Sequence, residues 1–61
     1  MRTTTKLKRV LEKNNIEIRL ADAGRIEMYL FNKKDKITCF VEGKNWGTVI
    51  SKSLTITKKY E

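Results

Sequence analysis

Two hydrophobic periods follow one another along this chain of 61 residues. From Thr4 to Asn14 the apolar residues Leu7, Val10 and Leu11 recur at i, i+3 and i+4, with Asn14 completing the face at i+7, and this spacing predicts a helix. Thr3, Thr4 or Thr5 is expected to supply the capping oxygen, and Asn14-Asn15 to end the helix in a left-handed conformation. From Ile16 the period falls to two. Ile16, Ile18 and Leu20 alternate with Glu17 and Arg19 in a first strand, and Ala21-Asp22-Ala23-Gly24 turns the chain. Ile26, Met28 and Leu30 alternate with Glu27, Tyr29 and Phe31 in a second strand. The polar run Asn32-Lys33-Lys34-Asp35-Lys36 predicts a hairpin loop, and a third strand places Ile37, Cys39 and Val41 opposite Thr38, Phe40 and Glu42.

Gly43-Lys44-Asn45-Trp46-Gly47 breaks the pattern, and the segment after it fits two readings. Leu54-Thr55-Ile56-Thr57 and Thr48-Val49-Ile50 are β-branched and favour a strand, or a short turn followed by a strand. Trp46, Val49, Ile50, Ser53 and Leu54 fit a helical stripe, so the alternative is a short second helix near 48–54. The predicted fold is a single α+β domain. Its N-terminal helix packs on one face of a three- to four-stranded antiparallel sheet, in the order α-β-β-β-β or with that second helix. Leu7, Val10 and Leu11 are expected to cover an aliphatic face made of Ile16, Ile18, Leu20, Ile26, Met28, Leu30, Ile37, Cys39 and Val41. One helix cannot cover both sides of a sheet, which leaves Arg19, Tyr29, Phe31 and Phe40 accessible among Glu17, Glu27, Thr38 and Glu42.

Composition removes several functions. The chain has no His and one Cys, so it cannot assemble a Cys/His zinc site or an internal disulfide, and no metal or cofactor is expected. Neither a secretory signal nor an apolar run near the 18 residues of a membrane span occurs, making the cytoplasm the expected compartment. Cys39 alternates inward and reads as a small buried hydrophobe. Without His, a general base would have to come from carboxylates beside lysines that keep them ionised, so the chain is read as a binding protein rather than an enzyme.

Charge gives the positive signal. Fourteen Lys and Arg against seven Asp and Glu give +7, with the excess in residues 1–15 and 33–61. On the predicted helix, Arg2, Lys6, Arg9 and Lys13 fall within about 60° of one another and form a basic ridge. Such a line of cations suits successive phosphates of DNA or RNA, and Arg19 and Lys44 are expected to add to it. The alternative is an adaptor or inhibitor docking on an acidic protein, with Tyr29, Phe31, Phe40 or Trp46 as stacking or anchoring groups. Trp46, between two glycines, is expected to lie over the core as a lid. A homodimer through the aromatic sheet face is a third candidate.

The α-β-β-β order, taken with the alternative of a final helix, resembles that of double-stranded-RNA-binding domains. The lysine cluster that this resemblance would place at the start of the second helix is absent from Thr48 to Leu54.

Overall fold

In the computed structural model, which describes residues 2–60, two helices lie side by side on one face of a three-stranded antiparallel sheet. Helix α1 (Thr3–Lys13) begins one residue earlier than the threonines would set it. The Lys6 amide donates to the Arg2 carbonyl at 3.0 Å, so Arg2 takes the cap position without a side-chain bond and Thr3, Thr4 and Thr5 sit inside the first turn. The helix does not stop in the left-handed region either. Asn14 is extended (φ −137°, ψ 150°) because the chain passes directly from Lys13 into strand β1 (Asn14–Leu20).

Alternation fixes the sheet. β1 pairs with β2 (Ile26–Asn32), and β2 with β3 (Thr38–Gly43), each antiparallel. Ile18 lies opposite Met28, which lies opposite Val41, and Glu17 lies opposite Tyr29, which lies opposite Phe40, so the two faces separate as the period-two pattern requires. A 3₁₀ turn at Asp22–Gly24 joins β1 to β2, with Ala23 and Gly24 at φ 64° and 74°. Between β2 and β3 the Asn32 side-chain oxygen accepts from the amides of Lys34 and Asp35 at 2.9 and 2.8 Å, a local turn built by a short polar side chain.

The segment for which a strand was favoured is helix α2 (Trp46–Lys59), longer than the 48–54 helix of the alternative reading. Asn45 caps it, its side-chain oxygen accepting from the Thr48 amide at 2.9 Å. Hydroxyl side chains usually weaken a helix by competing for backbone groups. Here they bond back to the preceding turn: Ser53 to Val49 O, Thr55 to Ser51 O and Thr57 to Ser53 O, at 2.8 to 3.1 Å. The stripe of Val49, Ile50, Ser53, Leu54 and Thr57 is buried, so packing overrides β-propensity.

α2 packs on β2 and β3 as well as on α1, and so shares the sheet face that α1 was expected to cover. The core joins Val10, Ile26, Met28, Leu30, Val41, Val49 and Leu54, with Ile16, Cys39 and Ile56 half-buried against it. Full burial stabilises side chains of this size by about 1.5–3 kcal/mol each. Gly43 permits the close approach of β3 to α2: a Cβ there would lie 3.1 Å from a methyl of the buried Val49. The consequence for α1 is a narrower role than expected. Val10 is fully buried, Leu7 half-buried and Leu11 43% exposed, while Ile18 and Leu20 on β1 are 42% and 74% exposed. Ile37 precedes β3 and is half-buried.

Candidate nucleic-acid interface

The helices run parallel. Lys6 Nζ donates to Ser51 Oγ at 3.0 Å near their starts, and Asn14 Nδ2 donates to Thr57 Oγ1 at 3.0 Å near their ends. Val10, at the centre of the buried face of α1, sets the angular frame. Lys6, Lys13, Arg2 and Arg9 fan out from it on the side turned towards α2, and Leu7 and Leu11 on the side turned towards β1. The four cations of the predicted ridge therefore stay on one side of α1, along the seam between the helices. Lys6 is committed to that seam by its bond to Ser51, and is half-buried.

Between the helices lies an open trench, lined by Thr5, Lys8, Arg9 and Glu12 from α1 and Leu54 and Lys58 from α2. A second cleft continues it beyond the last turns. There Lys13 meets Lys33 and Lys34 of the β2–β3 turn, beside Tyr60 and Thr57. Lys59 Nζ lies 5.9 Å from the centroid of the Tyr60 ring, within cation–π range. Arg2 and Lys44 stand at the opposite end, where both helices begin. Counting Arg2 with the two helices, this layer carries eight bases (Arg2, Lys6, Lys8, Arg9, Lys13, Lys52, Lys58, Lys59) and one acid, Glu12. That net +7 equals the formal net charge of the whole chain.

The other side of the sheet has the opposite character. Glu17, Glu27 and Glu42 share it with two cations, Arg19 and Arg25, around the ring pair Tyr29 and Phe40, whose centroids are 5.0 Å apart at 51°. Arg19 lies 5.6 Å over Tyr29 and bonds the Glu17 carboxylate at 3.2 Å, and Arg25 reaches Glu42 at 3.6 Å. Phe31 and Phe40 are exposed and Tyr29 is half-buried, as the uncovered face requires. Arg19 is therefore separated from the ridge by the thickness of the sheet and helix layers. Trp46 is not a lid: as the first residue of α2 it is 47% exposed, close in sequence to Lys44.

Lys8, Lys33 and Lys34 were missed as parts of this surface. Lys8 lies outside the 60° arc drawn on α1 and enters the trench only because α2 supplies the other wall. The two turn lysines arrive through the hairpin, which helical spacing cannot register. Among the described residues, no three His, Cys, Asp or Glu side chains come together as metal ligands, and no helix is long and apolar enough to cross a membrane. The first turn of α2, Trp46 to Thr48, has no lysine, so the cations stand elsewhere than the double-stranded-RNA-binding resemblance would put them. Comparison with known protein families, with curated proteins and with solved structures gave no match.

Proposed function

We propose that this protein is a small basic binding module that engages nucleic acid through the paired helices, with Arg2, Lys6, Arg9 and Lys13 as the central cations. Lys8, Lys58 and the turn lysines Lys33 and Lys34 extend the same surface, and Lys44 adds to its far end. The observation that carries this reading is the segregation of charge: the helix layer holds an excess equal to the full +7, and the open sheet face is acidic. A two-sided charge distribution steers a polyanion to one face and turns the other away. Affinity then comes mainly from counterion release, with little sequence preference. Binding, not catalysis, is the activity proposed.

The test is a titration of labelled duplex and single-stranded oligonucleotides between about 50 and 200 mM salt. Affinity is expected to fall by a factor of order 10³ or more for six phosphate contacts, and the double charge reversal Arg9→Glu with Lys13→Glu to abolish binding. Glu27→Lys, on the acidic face, is expected to leave it unchanged. Binding that is absent, or indifferent to salt, rejects the proposal.

Exposure of Trp46 beside Lys44 supports a second reading, an adaptor that docks on an acidic protein surface with this indole as anchor. In that case Trp46→Ala costs more affinity than removal of any one lysine, inverting the ranking expected for phosphate binding.

A further inference from the structure

The free edge of the sheet at β1 differs from that at β3. Along β3, Lys52 Nζ donates to the Glu42 carbonyl at 3.0 Å, placing a lysine against that edge. Among the described residues, none covers the β1 edge in this way. The Ala21 amide donates to Arg25 O and the Lys33 amide to Lys13 O, so the odd-numbered positions of β1 direct their backbone groups at β2. By alternation Ile16, Ile18 and Leu20 direct theirs outward, where β1 is the last strand of the sheet. The same residues turn their side chains to the helix side, where Ile18 and Leu20 are 42% and 74% exposed. An unpaired strand edge thus coincides with an apolar strip that the helices leave uncovered.

We propose that this edge is a homodimer interface, in which β1 of one copy pairs antiparallel with β1 of a second about a two-fold axis through Ile18. The charge pattern selects both occupant and register. The strand reads Ile16-Glu17-Ile18-Arg19-Leu20, and a two-fold at Ile18 puts Glu17 opposite the partner's Arg19 and Arg19 opposite the partner's Glu17. The apolar positions superpose, Ile18 on Ile18 and Ile16 on Leu20, and these are the pairs whose outward backbone groups can exchange hydrogen bonds. Shifting the axis by one residue puts Glu17 opposite Glu17, or Arg19 opposite Arg19, at the centre. The charges of the strand cancel, and the large positive excess lies on the helices. A second copy is therefore the complementary partner. In the single chain the Arg19 guanidinium bonds Glu17 of its own strand, and in the dimer it has a carboxylate on each side. The product is a continuous six-stranded sheet with both helix pairs on one side of it and Ile18 and Leu20 of the two copies meeting beneath.

Sedimentation equilibrium of the full chain, with circular dichroism to confirm folding, tests the register by charge exchange. Glu17→Arg alone and Arg19→Glu alone each set two like-charge pairs across the axis and are expected to weaken dimerisation by roughly tenfold or more. Mixing the two variants, or combining both substitutions in one chain, is expected to restore it. Amide exchange at Ile16, Ile18 and Leu20 is expected to slow as protein concentration rises. A chain that stays monomeric to millimolar concentration overturns the proposal. So does a dimer indifferent to these substitutions but broken by Phe40→Ser, which would place the contact on the aromatic sheet face. Failure of rescue in the mixture also counts against it.

Discussion

Asn14 Nδ2 donates to Thr57 Oγ1 at 3.0 Å, a buried bond between residues 43 positions apart that ties the end of α1 to the end of α2. The same Nδ2 donates to Val10 O at 2.9 Å, and the Thr57 hydroxyl donates in turn to Ser53 O at 2.8 Å. A buried amide is tolerated only when its groups are paired, and among the described residues no buried side-chain polar atom lacks a partner. The pair therefore fixes how the parallel helices sit, and with them the position of the basic trench.

Removing this bond has a measurable cost. Asn14→Ala is expected to destabilise the protein by about 1–3 kcal/mol, through lost hydrogen bonds and the gap left at the helix–strand junction. Thr57→Val keeps the shape but leaves Nδ2 with one acceptor, and is expected to cost about 1–2 kcal/mol. Urea melts of both single variants and the double variant give the coupling, expected near 1 kcal/mol. Simple additivity would show that the two side chains do not act together.

Burial ranks the aliphatic positions differently from their alternation. Met28 is fully buried beneath α2, where its sulfur accepts from Ser53 Oγ at 3.3 Å, and Met28→Ala is expected to cost about 2–5 kcal/mol, a large share of the stability of a chain this short. Leu20, 74% exposed on the same sheet face, is expected to change stability by less than about 0.5 kcal/mol on substitution by Ala. The comparison belongs in dilute protein, where β1 is unpaired. Equal effects would contradict the packing described.

Among the described residues, two that are not glycine hold left-handed backbone, Ala23 at φ 64° and Lys36 at φ 55°. A side chain in this region costs roughly 1–2 kcal/mol, partly offset by the greater freedom of an unfolded glycine. Ala23→Gly and Lys36→Gly are each expected to stabilise by about 0.5–1 kcal/mol, read as a rise in the thermal midpoint. A fall at either site would mean that the residue makes contacts outweighing its backbone strain.

Much of the fold was legible because strand alternation is a strict geometric signal. Ile26, Met28 and Leu30 against Glu27, Tyr29 and Phe31 defined β2 and both faces of the sheet, and the spacing of Leu7, Val10 and Leu11 defined α1. α2 was obscured by Thr48, Thr55 and Thr57, whose β-branching favours strands; in the fold the i−4 carbonyls accept the hydroxyls of Thr55 and Thr57, and a core draws the stripe inward. Asn45 three residues before Thr48 was the local sign of a helix start. Periodicity also states which face a residue occupies and not whether anything lies over it. Ile18 and Leu20 were placed on the correct face and wrongly in the core, since one helix was asked to span a sheet that two share unequally. The basic ridge on α1 followed from angular spacing alone, whereas its second wall depended on the helix that was read only as the alternative to a strand.

Every strand pairing in this protein joins neighbours in sequence, and the contact between α1 and α2 joins its two ends. The hairpins can zip locally, but the cationic trench has only one wall until the closing coil arrives from the far terminus. A chain stopped before Trp46 is expected to retain α1 with most of its positive charge, yet to show exposed Met28 through dye binding and to lose avidity for polyanions out of proportion to the three lysines removed. Recognition would then report completed assembly rather than charge alone. Full avidity in the shortened chain would show that α1 suffices without its companion.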